Sequence, residues 1–184
     1  MKRTLQALNR MVEDGVIEGY VIGGAIAAAY YLEPITTHDL DVFFQLAASE
    51  SGLASLSPLY SYLSARGYQP EGEAVHIAGW PVQFLPIFNP LYEEAYDKAA
   101  QVTFDGVPVR VMTAEHLVAV MLQTGRPQDR VRIIQFLEAK AVNATRLKRI
   151  LERHGLSRIW EEFLRLCQLR RPSRRRASRR ARRR

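Results

Sequence analysis

Residues 19–44 read GYVIGGAIAAAYYLEPITTHDLDVFF, and this stretch decides the fold that we predict for the chain. Apolar, β-favouring residues stand at both ends of it, and a run of good helix formers stands between them. Gly23 and Gly24 separate the first strand from the helix, and Pro34 should end that helix. The predicted elements are the strand Tyr20–Ile22, the helix Ala25–Tyr31 and the strand Leu40–Phe44.

Two carboxylates stand at the start of the second predicted strand. Asp39 and Asp41 are two residues apart, so their side chains should share one face of the sheet, with Cα atoms about 6.5 Å apart. The side chain of His38, between them, should face away. Two carboxylates on one face repel each other unless a cation lies between them. Such an oxygen pair suits a hard divalent ion such as Mg²⁺ or Mn²⁺, so we predict that Asp39 and Asp41 are metal ligands.

The glycine turn offers a feature that complements the two carboxylates. Gly23 and Gly24 bring backbone N–H groups to the start of a helix, where the free donors and the helix dipole favour an anion. Each feature alone has a plainer explanation, because a Gly-Gly pair is most often a simple turn and an Asp-x-Asp pair is most often a solvated strand end. Their succession along one short stretch predicts a site for a nucleotide and a metal ion.

The motif Gly23-Gly24 followed by Thr37-His38-Asp39-Leu40-Asp41-Val42-Phe43 resembles the nucleotidyltransferase superfamily that includes DNA polymerase beta. Within that superfamily, residues 1–140 or so are most similar to the small bacterial group related to AbiEii-type toxins. The resemblance implies an α+β fold with a nucleotidyltransferase-like mixed β-sheet flanked by helices. It also implies an NTP substrate, a divalent metal, and a role in toxin–antitoxin systems or phage defence with a cognate antitoxin as partner.

The same resemblance implies roles for individual residues. Asp39 and Asp41 would be the catalytic metal ligands, and Gly23, Gly24 and Thr37 would bind the nucleotide. The acceptor hydroxyl would be on a nucleic acid, a protein or a small molecule, and these alternatives stay open.

Three positions depart from the pattern of the family. Gln83 stands where a third carboxylate is common, and an amide is a poor magnesium ligand and no base. Met121 replaces a frequent lysine, and Arg132 replaces a frequent aspartate, whereas Asp129 keeps one acid. Two functions therefore stay open: an active nucleotidyltransferase, or a catalytically degenerate protein of the same fold that binds a nucleotide or a partner. Cations that could meet phosphate are Arg126, Arg130 and Arg132, although an exposed helical face is the plainer role.

We predict a nucleotidyltransferase-like domain over residues 1–112, with about five strands, and a C-terminal helical annex over residues 113–169. A first helix carries Leu5, Leu8 and Met11 and ends near Gly15. Two hairpins are predicted, with turns at Gly79-Trp80 and Asp105-Gly106. The other predicted helices span residues 50–65, 91–100, 114–123, 131–140, 144–154 and 156–169.

Residues 170–184 form an Arg-rich tail with ten arginines and no acid, and the whole chain has a formal net charge of +7. The tail has no hydrophobic face, so we predict disorder and salt-sensitive attraction to RNA or DNA. A solvated extension without a partner is an equal alternative.

The single cysteine, Cys167, excludes an internal disulfide and fits a reducing compartment. No signal peptide or membrane-spanning run is evident, so we expect a cytoplasmic protein without a membrane partner.

Overall fold

The computed structural model describes residues 1–32, 37, 39–46 and 56–170, with side chains up to residue 167. The helices are α1 (Lys2–Glu13), α2 (Gly24–Tyr31), α3 (Ser57–Ala65), α4 (Pro90–Asp97), α5 (Ala114–Thr124), α6 (Pro127–Glu138), α7 (Ala144–Arg153) and α8 (Ser157–Arg170). The strands are β1 (Ile17–Ile22), β2 (Leu40–Leu46), β3 (Pro70–Glu71), β4 (Ala74–Ile77), β5 (Trp80–Pro86), β6 (Ala100–Phe104) and β7 (Val107–Val111).

The strands form one mixed sheet in the order β3-β4-β5-β2-β1-β7-β6. The central strands β1 and β2 pair antiparallel, while β2 pairs parallel with β5 and β1 pairs parallel with β7. In the β2–β5 register Asp41 lies opposite Gln83. Because residues opposite each other on paired strands share a face, this register brings the two side chains to the same side of the sheet. The α+β architecture predicted from the sequence is confirmed.

Helix α5 is the most enclosed helix among the described residues. Its residues from Ala114 to Leu122 are all buried, and it contacts α2, α4, α6 and α7. A helix that is buried all round belongs to the core, which explains its nearly continuous apolar sequence. Thr113 caps its start, because its hydroxyl accepts a hydrogen bond from the backbone N–H of His116. The side chains of α5 line three separate cavities.

Several sequence predictions need correction. The described residues contain seven strands rather than about five, partly because Pro70–Glu71 pairs with β4 where a loop was predicted. The first hairpin turns at Ala78 and Gly79, both with positive φ, and Trp80 already pairs with Ile77. This geometry is that of a two-residue hairpin loop at Ala78-Gly79, one residue earlier than the predicted turn.

Two helix boundaries also differ. Helix α4 ends at Asp97 instead of Ala100, because Ala100 already pairs with Val111 in the second hairpin. Helix α6 begins at Pro127 instead of Val131, since a proline is well tolerated in the first turn of a helix. The Asp105-Gly106 turn is confirmed, with positive φ at both residues.

Some predictions fall outside the described residues. They concern the helix stop at Pro34, the orientation of His38, the start of a helix at Glu50, and the tail from Arg171 onward. Within the described residues, no helix combines the length and the hydropathy needed to cross a bilayer.

Candidate functional site

A cleft of about 220 Å³ opens on the face of the sheet where β2 and β5 lie side by side. Its floor comes from alternate residues of the two strands, so Asp41 and Phe43 of β2 line it together with Gln83 and Leu85 of β5. Helices α2, α4, α5 and α6 contribute the walls. The wall residues are Gly24, Phe88, Tyr92, Leu117, Val120, Met121, Thr124, Arg126, Asp129 and Arg132, with Pro86 at the end of β5.

The glycine turn and the aspartate strand meet directly in this cleft. The backbone N–H of Gly23 donates to the backbone carbonyl of Asp41 at 3.0 Å, which ties the turn to β2. Gly24 has φ of +55° and starts α2. A Cβ at Gly24 would overlap the carboxylate of Asp41, so only glycine leaves room for that carboxylate. The Gly23 N–H is therefore occupied, and the donors left for a bound anion at this turn are in the first turn of α2.

The environment of Asp41 disfavours the ionised form of its carboxyl group. Burial, and then the nearby charge of Asp39, raise the pKa of Asp41 from 3.8 to about 6. The charges of Arg126 and Arg132 act in the opposite direction but do not compensate. A carboxylate held this way is stabilised by a cation placed beside it.

Asp39 is exposed and stands just before β2. The hydroxyl of Thr37 donates a hydrogen bond of 3.0 Å to Oδ1 of Asp39 and lies 3.3 Å from its backbone oxygen. Thr37, predicted to contact the nucleotide, is thus seen to orient the carboxylate of Asp39.

An ion pair forms the wall opposite the aspartates. Asp129 is fully buried, and Arg126 holds it through Nε at 2.9 Å from Oδ2 and through the second guanidinium nitrogen at 3.3 Å from Oδ1. The side chain of Arg126 remains 52% exposed, and both Arg126 and Arg132 face the cleft. Arg130, predicted together with them as a phosphate contact, instead lines a separate hollow between α5, α6 and α8.

All three residues that depart from the sequence pattern, Gln83, Met121 and Arg132, line the cleft. Met121 lines it as a buried residue of α5, so an apolar side chain occupies that wall. The side-chain amide of Gln83 donates a 3.0 Å hydrogen bond to Oε2 of Glu73. Glu73 therefore brings a carboxylate to Gln83 from the turn between β3 and β4. The sequence gives no local sign of this contact, because it depends on how the hairpin folds back along β5.

The oxygen donors at the cleft fit a divalent metal through one pair of carboxylates. Asp39 and Asp41 lie close enough for the charge of one to raise the pKa of the other, and a hard cation between them would relieve that repulsion. Among the described residues, no group of three or more His, Cys, Asp or Glu side chains is arranged to hold a metal. Any metal at this site would therefore have to draw further ligands from a substrate, water or the Gln83 carbonyl.

Comparison with solved structures finds nucleotidyltransferase-like proteins. The solution structure of the antibiotic-resistance factor ANT(2'')-Ia matches with a TM-score of 0.54 and 14% identity, over 91% of this chain and 95% of that one. The crystal structure of ANT(2'')-Ia with adenylyl-2''-tobramycin has a TM-score of 0.47 and 17% identity, over 80% and 90% of the two chains. An antigenic nucleotidyltransferase-like protein from Paracoccidioides brasiliensis has a TM-score of 0.47 and 13% identity, over 87% and 93%.

At these identities the likeness concerns the fold, and the chain has the fold of nucleotidyltransferase-like proteins. No protein-family model matches the sequence, and a search of curated protein sequences finds no match.

Proposed function

We propose that this protein is a metal-dependent nucleotidyltransferase that transfers NMP from an NTP to a hydroxyl group. The observation that carries the proposal is the direct contact between a glycine turn and the half-buried Asp41. Gly24 packs against the carboxylate of Asp41 so closely that no other residue fits, and two arginines face the same cleft. Backbone donors, a carboxylate that favours a cation, and guanidinium groups are together what a nucleoside triphosphate requires.

The reaction is a displacement at the α-phosphorus of the NTP. The acceptor oxygen forms a bond to that phosphorus, the bond to the bridging oxygen of the β-phosphate breaks, and pyrophosphate leaves with the bonding electrons. Arg126 and Arg132 would bind the phosphates, together with N–H groups of the first turn of α2. The apolar wall that contains Tyr92, Leu117 and Val120 would exclude water and pack against the nucleoside.

Asp39 and Asp41 would hold Mg²⁺ or Mn²⁺, which supplies charge neutralisation and alignment of the triphosphate when it is bound. Thr37 keeps the carboxylate of Asp39 oriented. The proton of the acceptor hydroxyl needs a base, and the exposed Glu73, which accepts a hydrogen bond from the cleft residue Gln83, would serve as that base.

The test is transfer of label from α-³²P NTPs, with Mg²⁺ and with EDTA, to a total RNA and protein extract and to the protein itself. We expect transfer by the unaltered chain and its loss in Asp39→Ala and Asp41→Ala. Asp97→Ala, an exposed residue of α4, is the matched control. Equal transfer by the Asp39 and Asp41 variants would refute the assignment.

A second candidate is a catalytically degenerate protein of the same fold that binds a nucleotide or a partner. The observation in its favour is Gln83, which lies opposite Asp41 where a third carboxylate would complete the acidic site. Calorimetry with NTP and Mg²⁺ separates the two functions, because the degenerate protein binds without releasing pyrophosphate. In that case Gln83→Asp should restore release.

The narrower assignment, an AbiEii-type nucleotidyltransferase with a toxin–antitoxin or phage-defence role, is proposed on the sequence motif alone. It predicts that expression of the chain arrests bacterial growth, and that Asp41→Ala relieves the arrest. A cognate antitoxin would then be the partner that co-purifies with the intact chain.

We also propose that the Arg-rich tail binds RNA or DNA. Its deletion should reduce nucleic-acid retention at low salt.

A further inference from the structure

Another cavity, of about 360 Å³, shares no lining residue with the cleft, and the cations along it outnumber the carboxylates. Helices α4 and α7 form two of its sides, and the start of α5 forms a third. Its cationic side chains are Lys98, Arg146, Arg149 and Arg153, and its carboxylates are Glu94 and Glu115. We call this group of residues the basic pocket.

Both carboxylates of the basic pocket already have partners. Glu94 accepts hydrogen bonds from Arg153 of α7 and lies 2.7 Å from Nε2 of His154 and 3.4 Å from Nε2 of His116. The hydrogen bonds from Arg153, more than any other contact, lower the pKa of Glu94 to about 2. Oε1 of Glu115 accepts from the backbone N–H of Asn143 at 2.8 Å. These contacts join α4, α5 and α7, so the walls of the pocket are fixed relative to one another.

Three of the four cations have no such partner. The side chains of Lys98, Arg146 and Arg149 are exposed, and none makes an ion pair or hydrogen bond with another described residue. By contrast, Lys148 and Arg158 nearby pair with Glu152 and Glu162. A concave, preformed site with unpaired positive charge attracts a phosphate-bearing ligand.

The spacing of the charges indicates what kind of phosphate ligand fits. Arg146, Arg149 and Arg153 follow one side of α7, and seven residues of helix extend over about 10.5 Å. The three arginines therefore form a row and do not converge on one point, and Lys98, the residue that follows α4, lies on another side of the pocket. A row of cations matches several phosphates in succession better than a single phosphate group.

We infer that the basic pocket binds the phosphodiester backbone of a single-stranded nucleic acid. This surface belongs to the folded helices and is separate from the Arg-rich tail. It does not depend on the proposed nucleotidyl transfer, so a failure of either leaves the other standing.

The test measures fluorescence anisotropy of a labelled single-stranded 12-mer, as RNA and as DNA, with the full chain over a range of salt concentrations. The variant R146Q/R149Q removes two contacts of the pocket. The matched variant K148Q/R158Q removes the same charge from paired residues outside it, and the tail is present in both. Each lost contact should reduce the salt slope by about 0.7, so R146Q/R149Q should reduce it by about 1.4 and weaken binding about 25-fold at 0.1 M salt.

K98Q, at the residue that follows α4, should reduce the slope by about 0.7 and weaken binding about fivefold. Equal losses in R146Q/R149Q and K148Q/R158Q would overturn the inference, because they would assign binding to overall charge or to the tail. Displacement of the 12-mer by millimolar pyrophosphate, restricted to chains with an intact pocket, would mean that the pocket takes a small phosphate ligand. If the chain bound poly-glutamate instead of the 12-mer, and R146Q/R149Q lost that binding, the pocket would be a site for an acidic protein. Either of these two results would overturn the inference.

Discussion

The carboxylate of Asp41 packs directly against Gly24, in the space where any other residue at position 24 would have its Cβ. The contact joins the start of α2 to the start of β2, and the N–H of Gly23 reinforces it by donating to the backbone oxygen of Asp41. The two halves of the candidate site are therefore physically one unit.

Gly24→Ala should destabilise the protein and abolish nucleotide binding. The substitution forces a left-handed backbone on alanine, which costs about 1 to 2 kcal/mol, and it displaces the carboxylate of Asp41. Gly15→Ala is the matched control, because Gly15 also has positive φ but has open space where a Cβ would be. Urea unfolding and NTP calorimetry of both variants measure the effect. Equal losses of binding in the two would show that the overlap with Asp41 is unimportant.

Asp41→Asn should stabilise the metal-free protein at pH 7 by about 1 to 3 kcal/mol. The pKa of Asp41 is about 6 in the folded state, so between pH 4 and 6 the native state binds more protons than the unfolded state. Stability contributed by the protonated group is therefore lost as the pH rises through this window. Asp41→Asn should show no advantage at pH 4, and Mg²⁺ should stabilise the unaltered chain only. Asp97→Asn serves as the control, and a constant difference from pH 4 to 8 would contradict the pKa shift.

Glu94→Gln should destabilise the protein by about 2 to 3 kcal/mol at pH 7, because it removes the acceptor that Arg153 and His154 share. The pKa of Glu94 is lowered to about 2, so its stabilisation is complete above pH 5 and is lost as the pH falls towards 2. The difference from the unaltered chain should shrink over the same range. Glu93→Gln, the exposed neighbour on α4, should have little effect at any pH. Guanidinium unfolding from pH 2.5 to 7 measures both.

Arg126→Met should cost about 1 to 3 kcal/mol of stability, because it leaves the buried carboxylate of Asp129 without its partner. Adding Asp129→Asn should recover part of the loss, since the double variant buries no unpaired charge. Arg130→Met, on the exposed side of α6, is the control and should cost little. A double variant that loses the sum of its single changes would show that the two residues are energetically independent.

The parts of the fold that depend on nearby residues could be predicted from the sequence. The strand, turn and helix at residues 17–31 follow from β-favouring residues, two glycines and a run of alanines, and the Asp105-Gly106 hairpin follows from its turn residues. The strand count was too low because the two-residue strand at Pro70–Glu71 is held by its pairing with β4 and not by its own composition.

The candidate site divides in the same way. The proximity of Asp39 and Asp41 could be predicted from their spacing of two residues, although Asp39 stands just before β2 and only Asp41 lines the cleft. The contact between Gln83 and Glu73 could not, because it depends on how the turn after β3 lies against β5. Outside the candidate site, the hydrogen bonds that converge on Glu94 could not be predicted either, since they join elements that are distant along the chain. The partners of Glu94 lie 22 to 60 residues away from it, and no local pattern specifies them.

Helix α5 presents Leu117 and Met121 to the cleft, and Glu115 and His116 to the basic pocket. One helix thus forms a wall of both cavities, so a rotation or a shift of α5 would change the shape of both. If a ligand in one cavity displaced α5, it would change the affinity of the other cavity for its own ligand, and the factor would be the same in both directions. Binding of the two ligands would then be coupled without any movement of a domain.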